Sequence, residues 1–321
     1  MVSLAIFLVA ELTVITTVQA SQIVISNKNN QEIVVDNNGE GDFKTIQAAI
    51  DNAQPGSTIY IKKGEYKEII TIKKQISLIG EDKDGTLINP ISEKNKFALY
   101  LGAPNIKIQG LSIQNGAPGL YASAIRIASS NIEVNDCNIY DTPVGIIVWT
   151  SNNIIDNCNF WRCEDEGIAL IGTSYSDCKN NIITNCVFRD NCDGIELQYS
   201  SSNTILNCDF YDNTHTGIDA IASSNDENTI SNCRIFNNKA QGIYFSSSSN
   251  NLIKDCFIYD NKNGNIVTDI NSENNQIISN SNSIIDDNEL SLREILQYGL
   301  SRRSTDRFRE IVSLLRSLIS F

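Results

Sequence analysis

Histidine, methionine and proline are nearly missing from this 321-residue chain, which has one His, one Met and five Pro. The Met is the initiator and the His is His215. That scarcity argues against a multi-histidine zinc site or a copper site. Basic residues are also few. Lys and Arg number 25 against 38 Asp and Glu, a net charge of −13, so nucleic acid is not the expected partner. No CxxC pair exists, which argues against zinc. Beyond residue 20, no apolar run is long enough to span a bilayer.

What the chain does contain is one phrase written five times. Asn153-Ile-Ile155-Asp-Asn157-Cys158-Asn-Phe160 recurs from Asn181 to Phe188, from Asn203 to Phe210, from Asn228 to Ile235 and from Asn251 to Ile258. Weaker copies lie at Val134 to Ile139 and Ile278 to Ser281. A Gly-Ile pair follows at Gly145, Gly167, Gly194, Gly217 and Gly242, the glycines being 22, 27, 23 and 25 residues apart. A repeat in the low twenties built of short alternating runs is a strand solenoid, because a lone unit cannot bury its inner face. The spacing predicts a parallel β-helix of about nine coils.

The inward stacks follow from alternation. Ile146, Ile168, Ile195, Ile218 and Ile243 form one, and Ile155, Ile183, Ile205, Ile230 and Ile253 a second. Phe160, Phe188, Phe210, Ile235 and Ile258 form the third. Asn157, Asn185, Asn207 and Asn232 fall at a bend that needs left-handed backbone, and a ladder of stacked Asn side chains is expected there. Cys137, Cys158, Cys186, Cys208, Cys233 and Cys256 share one position and read as a buried thiol ladder. Cys163, Cys178 and Cys192 stand apart, and a Cys163–Cys192 bridge stays open.

The ends differ from the rod. Residues 1–20 are apolar and close on Val18-Gln-Ala20, the pattern of a secretory signal peptide, although no basic residue precedes the run and Glu11 interrupts it. Residues 21–287 form the solenoid. Asp42 to Ala53 carries apolar residues at helical spacing and predicts a short helix plugging its open end. Residues 288–321 carry no Lys and no Asn after Asn288, and hold six of the ten Arg. Leu292, Ile295, Leu296 and Leu300, then Phe308, Ile311, Val312 and Leu315, predict a helical hairpin that caps the rod or docks it to a protein partner.

Gly41 to Ile50, Gly56 to Glu68 and Ile76 to Glu81 resemble the N-terminal cap and first coil of pectin-lyase-like proteins, pectin methylesterases in particular. The repeats from Ile125 to Ser281 resemble NosD-type carbohydrate-binding and sugar-hydrolase repeats. The resemblance implies an all-β, right-handed parallel β-helix that is secreted, on the cell surface or periplasmic. It does not carry methylesterase activity. Asp141-Thr142 lacks the family's preceding Gln, Asp165 lacks its motif, and the late Arg-Pro-Trp is missing. The polygalacturonase motifs are also missing as a set.

Outward positions on the Gly-Ile strands form a groove for an extended polymer. They are Tyr100, Arg126, Ile147 with Trp149, Ala169, Glu196 with Gln198, Asp219 and Tyr244. Asp165, Glu166, Asp193 and His215 lie just before its glycines. Glu196 and Asp219 share a register one coil apart, so one of their pKa values should rise, which suits acid–base work. Glu196, Asp219 and His215 are therefore the candidate catalytic residues. Tyr100, Arg126, Trp149, Gln198 and Tyr244 are the candidate polysaccharide contacts. Asp193, Glu196 and Asp219 would suit calcium; no other cofactor is implied. Three readings stand: a polysaccharide-binding rod; a glycosidase, lyase or epimerase on the same groove; and a structural surface rod.

Overall fold

The computed structural model describes residues 32–90, 97–119, 121–173, 178–222 and 224–278. The expected signal peptide at 1–20 and the helical segment at 288–321 lie outside the described residues. Three parallel sheets run the length of the rod, one of eleven strands and two of nine. Nine coils contribute a strand to every sheet, and the longest sheet gains a strand at each end. Cross-coil pairing is parallel and in register: Ile155 pairs with Ile183, Phe160 with Phe188 and Ile168 with Ile195. We call the three the isoleucine sheet, the phenylalanine sheet and, for the Gly-Ile strands, the groove sheet.

The three expected inward stacks fill one continuous core. Phe160, Phe188 and Phe210 lie face to face with centroids 4.7 Å apart. Gly194 shows why glycine opens the groove strand: a Cβ there would lie 2.4 Å from the Gly217 carbonyl and 2.5 Å from the Phe210 ring. The neighbouring coil passes too close for a side chain.

Three left-handed corners per coil account for the Asn and Asp content. Asn152, Asn157 and Arg162 occupy them in one coil, and Ser202, Asn207 and Asp212 in a later one, all with positive φ. Asn and Asp tolerate this conformation best among residues with a Cβ. The Asn ladder was expected at the wrong corner. Asn157, Asn185 and Asn207 do take left-handed backbone, but their side chains face outward and bond Asp136, Asp156 and Asn185.

The buried ladders start one residue after the other two corners. Asn153, Asn181, Asn203, Asn228, Asn251 and Asn275 link Nδ2 to Oδ1 at 3.0–3.1 Å. A second ladder runs Asn213, Asn238 and Asn261 at 2.8–2.9 Å. Each Oδ1 also takes a backbone N–H from the coil before, as Asn181 does from Asn153 at 3.0 Å, so the corner amides stay satisfied although buried. The repeat cysteines hold the equivalent place at the third corner. Cys186 Sγ lies 3.2 Å from the Thr184 carbonyl and 3.7 Å from that of Ile155. All nine thiols are free, including Cys163 and Cys192.

At the N-terminal end the expected helix spans Ile46–Asn52, with Thr45 as its N-cap. Both Glu68 carboxylate oxygens accept from its first turn, from Ile46 N at 2.7 Å and Gln47 N at 2.9 Å. A carboxylate there complements the helix dipole. Ile46, Ala49 and Ile50 turn into the core and cover the first coil.

Candidate functional site

One outward column runs along the groove sheet in the expected order. Tyr100 pairs with Arg126, Arg126 with Ile147, Ile147 with Ala169, Ala169 with Glu196, Glu196 with Asp219, and Asp219 with Tyr244. Beside it, Glu166 pairs with Asp193. The structure divides the predicted residues into two groups. Tyr100, Arg126 and Trp149 lie toward the N-terminal end. Asp193, Glu196, Gln198, His215, Asp219 and Tyr244 lie toward the other. Between them Ile147 and Ala169 form an apolar floor with Val144 and Ile171.

The second group is a knot of buried carboxyls. Glu166, Asp193, Glu196 and Asp219 are each 9 % exposed or less. The Glu166 and Glu196 carboxyls are close enough to shift one another, and a hydrogen bond between two carboxyls requires one proton between them. Burial, then the charges of Glu196 and Asp165, push the Glu166 carboxyl up to about 9. It therefore carries that proton and donates to Glu196. Burial also raises Glu196, against the pull of hydrogen bonds from Gln198 and Glu166.

Asp219 differs from its neighbours. Burial, then the charges of Asp193 and Glu196, raise it to about 7, with His215 opposing. Its Oδ1 is buried without any hydrogen-bond partner. A buried carboxylate oxygen left unsatisfied costs free energy that a ligand could recover. Asp193 is the opposite case. Its Oδ1 accepts from Thr216 N at 2.6 Å and lies 2.8 Å from His215 Nδ1. His215 is thus oriented by a carboxylate while half its side chain stays in solvent.

Sequence reasoning placed Glu166 beside the groove without assigning it a role. Its signal was the residue before Gly167, in register with Asp193. Phe97 and Tyr121, which frame Arg126, carried no signal, because strand alternation does not report contacts between neighbouring columns.

Among the described residues, the trio of metal-donor side chains that converges within 4.8 Å is Cys192, Asp193 and His215, a different set from Asp193, Glu196 and Asp219. Burial, then the charges of Asp193 and Asp165, hold the Cys192 thiol up at about 11, and Asp193 already engages His215.

Residues 85–228 match the family model for the right handed beta helix region, and residues 171–289 that for the periplasmic copper-binding protein NosD. The chain is a right-handed parallel β-helix. A rhamnogalacturonan lyase superposes with a TM-score of 0.60 at 14 % identity, covering 86 % of this chain and 94 % of that one. The A-module of an Azotobacter vinelandii mannuronan C-5 epimerase gives 0.55 at 16 %, covering 77 % and 94 %. In sequence, the Arabidopsis thaliana pectinesterase/pectinesterase inhibitor 18 is 34 % identical over 128 residues. That stretch is 35 % of this chain and 23 % of the curated relative, so most of the relative has no counterpart in the match.

Copper does not fit the residues present. Copper sites draw on imidazole, thiolate or thioether. Here there is one His, already bonded to a carboxylate, beside a thiol raised to about 11, and no Met other than Met1.

Proposed function

We propose that this β-helix binds a polysaccharide along the groove sheet and cleaves a glycosidic bond at Glu196 and Asp219. The unpartnered, buried carboxyl of Asp219 beside the proton-sharing Glu166–Glu196 pair carries the reading. A carboxyl raised to about 7 can hold a proton for a leaving group and take one back at neutral pH. One coil separates it from Glu196, so the β-carbons are about 5 Å apart, near enough for the two carboxyl groups to take the roughly 5 Å separation of retaining glycosidases.

The chemistry then runs in two steps. Asp219 gives its proton to the glycosidic oxygen as the C–O bond breaks, and the Glu196 carboxylate bonds the anomeric carbon. Water next opens that ester, giving a proton to the Asp219 carboxylate and releasing Glu196. Gln198 donates to Glu196, and His215, bonded to Asp193, lies near enough to lower the Asp219 carboxyl. Tyr244 and, further along, Tyr100 and Trp149 offer aromatic surface to sugar rings.

The names of the relatives, a rhamnogalacturonan lyase, a mannuronan epimerase and a pectinesterase, support a polysaccharide as the partner. The periplasmic family model supports an extracytoplasmic location.

The test incubates the protein with neutral and acidic polysaccharides and follows new reducing ends and unsaturated-uronate absorbance. New reducing ends without absorbance, lost in Glu196→Gln and in Asp219→Asn, are expected. Turnover that survives both substitutions would remove the site. Absorbance from unsaturated uronate would replace hydrolysis by elimination.

A further inference from the structure

Four arginines lie among the described residues, and they are not treated alike. Arg162, Arg189 and Arg234 each meet a carboxylate: Asp141 at 2.6 Å, Asp190 at 2.5 Å and Asp209 at 2.5 Å. Arg126 meets none among the described residues. Its guanidinium lies over the Trp149 ring at 4.9 Å and near that of Phe97 at 5.4 Å. Its one described hydrogen bond goes to the Tyr121 carbonyl, and its Nε is buried without a partner. Among the described residues this cation in the groove has no carboxylate partner, and it is partly desolvated and framed by aromatic rings. That arrangement suits a carboxylate carried on a sugar ring, the carboxylate meeting the guanidinium and the ring's apolar face the aromatic side chains.

The other end of the same column has the opposite character. Asp165, Glu166, Asp193, Glu196 and Asp219 converge there, and burial together with neighbouring carboxyl charge raises Asp165, Glu166, Glu196 and Asp219. A further carboxylate set among them would face like charges at reduced dielectric. Arg126 lies three coils from Glu196 by strand register, about 14 Å. It cannot neutralise a charge held there. The floor between, Ile147 and Ala169, has no polar group to offer.

We propose that the groove selects its polymer by charge spacing, with an anionic sugar at Arg126 and a neutral sugar three coils on, at the carboxyl knot. The substrate class is a sparsely anionic polysaccharide, in which uronates are separated by several neutral sugars, rather than a homopolymer of uronate. An extended sugar residue is about as long as the rise of one coil, so the two subsites hold sugars about three residues apart. This rests on the reading of the groove as a polysaccharide site.

Equilibrium binding at pH 7 to three polymer groups tests it. Sparse uronans are represented by deacylated gellan and xanthan, homo-uronans by polygalacturonate and alginate, and neutral polymers by galactomannan and carboxyl-reduced gellan. The sparse uronans should bind at least about tenfold tighter than either other group. Arg126→Gln should erase the advantage of gellan over its reduced form, and Arg126→Lys should retain part of it. Joint Glu196→Gln and Asp219→Asn should raise homo-uronan binding by about tenfold, and lowering the pH to 5 should raise it in the native protein.

Homo-uronans bound as tightly as gellan would overturn the proposal, as would Arg126→Gln binding gellan like the native protein. Neutral polymers bound as well as gellan would discard the charge rule but keep the groove as a polysaccharide site. Retention of no polymer in any group would discard both.

Discussion

The groove sheet and the phenylalanine sheet are built from the same coil, yet their outward columns differ. On the phenylalanine sheet Tyr140, Trp161, Arg189, Tyr211, Phe236 and Tyr259 stand in one register. They spend their surfaces on one another. Tyr140 stacks on Trp161 at 4.3 Å, and Tyr211, Phe236 and Tyr259 stack at 5.1–5.2 Å. Arg162 binds Asp141 through two hydrogen bonds, and Arg234 binds Asp209 in the same manner. Stacked rings present edges to solvent, not the faces a sugar would need. That face is saturated. The groove column keeps an unpaired guanidinium at one end and an unsatisfied carboxyl at the other. That contrast between the two sheets is what singles out the groove sheet as the proposed ligand face.

The largest effect expected of this contrast is on turnover. Glu196→Gln or Asp219→Asn should lower it at least 100-fold, as loss of an acid–base group does. Trp161→Ala and Tyr211→Ala should leave it within about twofold, since their stacking lies on another sheet. Reducing-end assays at one substrate concentration series check both halves. The ladders come next, because they serve both faces equally. Asn203→Ala removes an amide that bonds Asn181 and Asn228 and should cost about 1–3 kcal/mol in urea unfolding, with activity per folded molecule unchanged.

A smaller effect separates the faces by pH. Glu166 keeps its proton in the fold up to about 9, against an ordinary value of 4.5. Between those values the folded state binds more protons than the unfolded chain, so its contribution to stability is present at low pH and lost as pH rises through about 9. Melting temperature should therefore fall more steeply from pH 5 to 9 in the native protein than in Glu166→Gln, by about 2–4 °C. Asp141, held below the usual carboxylate range by Arg162, works in the other direction on the saturated face. Its contribution is present above the ordinary value and lost as pH falls below it. The smallest effect is Trp161→Ala itself, about 1 kcal/mol for the lost stacking with Tyr140.

Much of this was legible in the residues. The Gly-Ile and Asn-Cys-Phe positions set the register, so the core stacks and the order of the groove column follow from counting alone. The left-handed backbone at Asn157 was legible as well, since Asn is the residue that tolerates it. The place of the Asn ladder was not, because a corner residue and the residue after it point in opposite directions. Which one turns inward depends on the tilt of the corner, which composition does not encode. The site followed the same rule. Glu196 and Asp219 share a strand position and could be paired by number. Glu166 reaches Glu196 from the adjoining column, and the rings of Phe97 and Trp149 meet over Arg126 from two coils. Those contacts depend on side-chain direction across coils, which strand alternation leaves free.

Two carboxyls, Asp219 and Asp141, mark the difference between the faces most directly. A carbon-13 titration of the aspartate side chains, with and without a saturating polysaccharide, compares them in one sample. Asp219 should titrate near 7 and move when the polymer binds, while Asp141 should titrate below the usual carboxylate value and stay where it is. Asp219 titrating in the ordinary range, indifferent to a polymer that the protein demonstrably holds, would contradict the claim that the unsatisfied face is the working one.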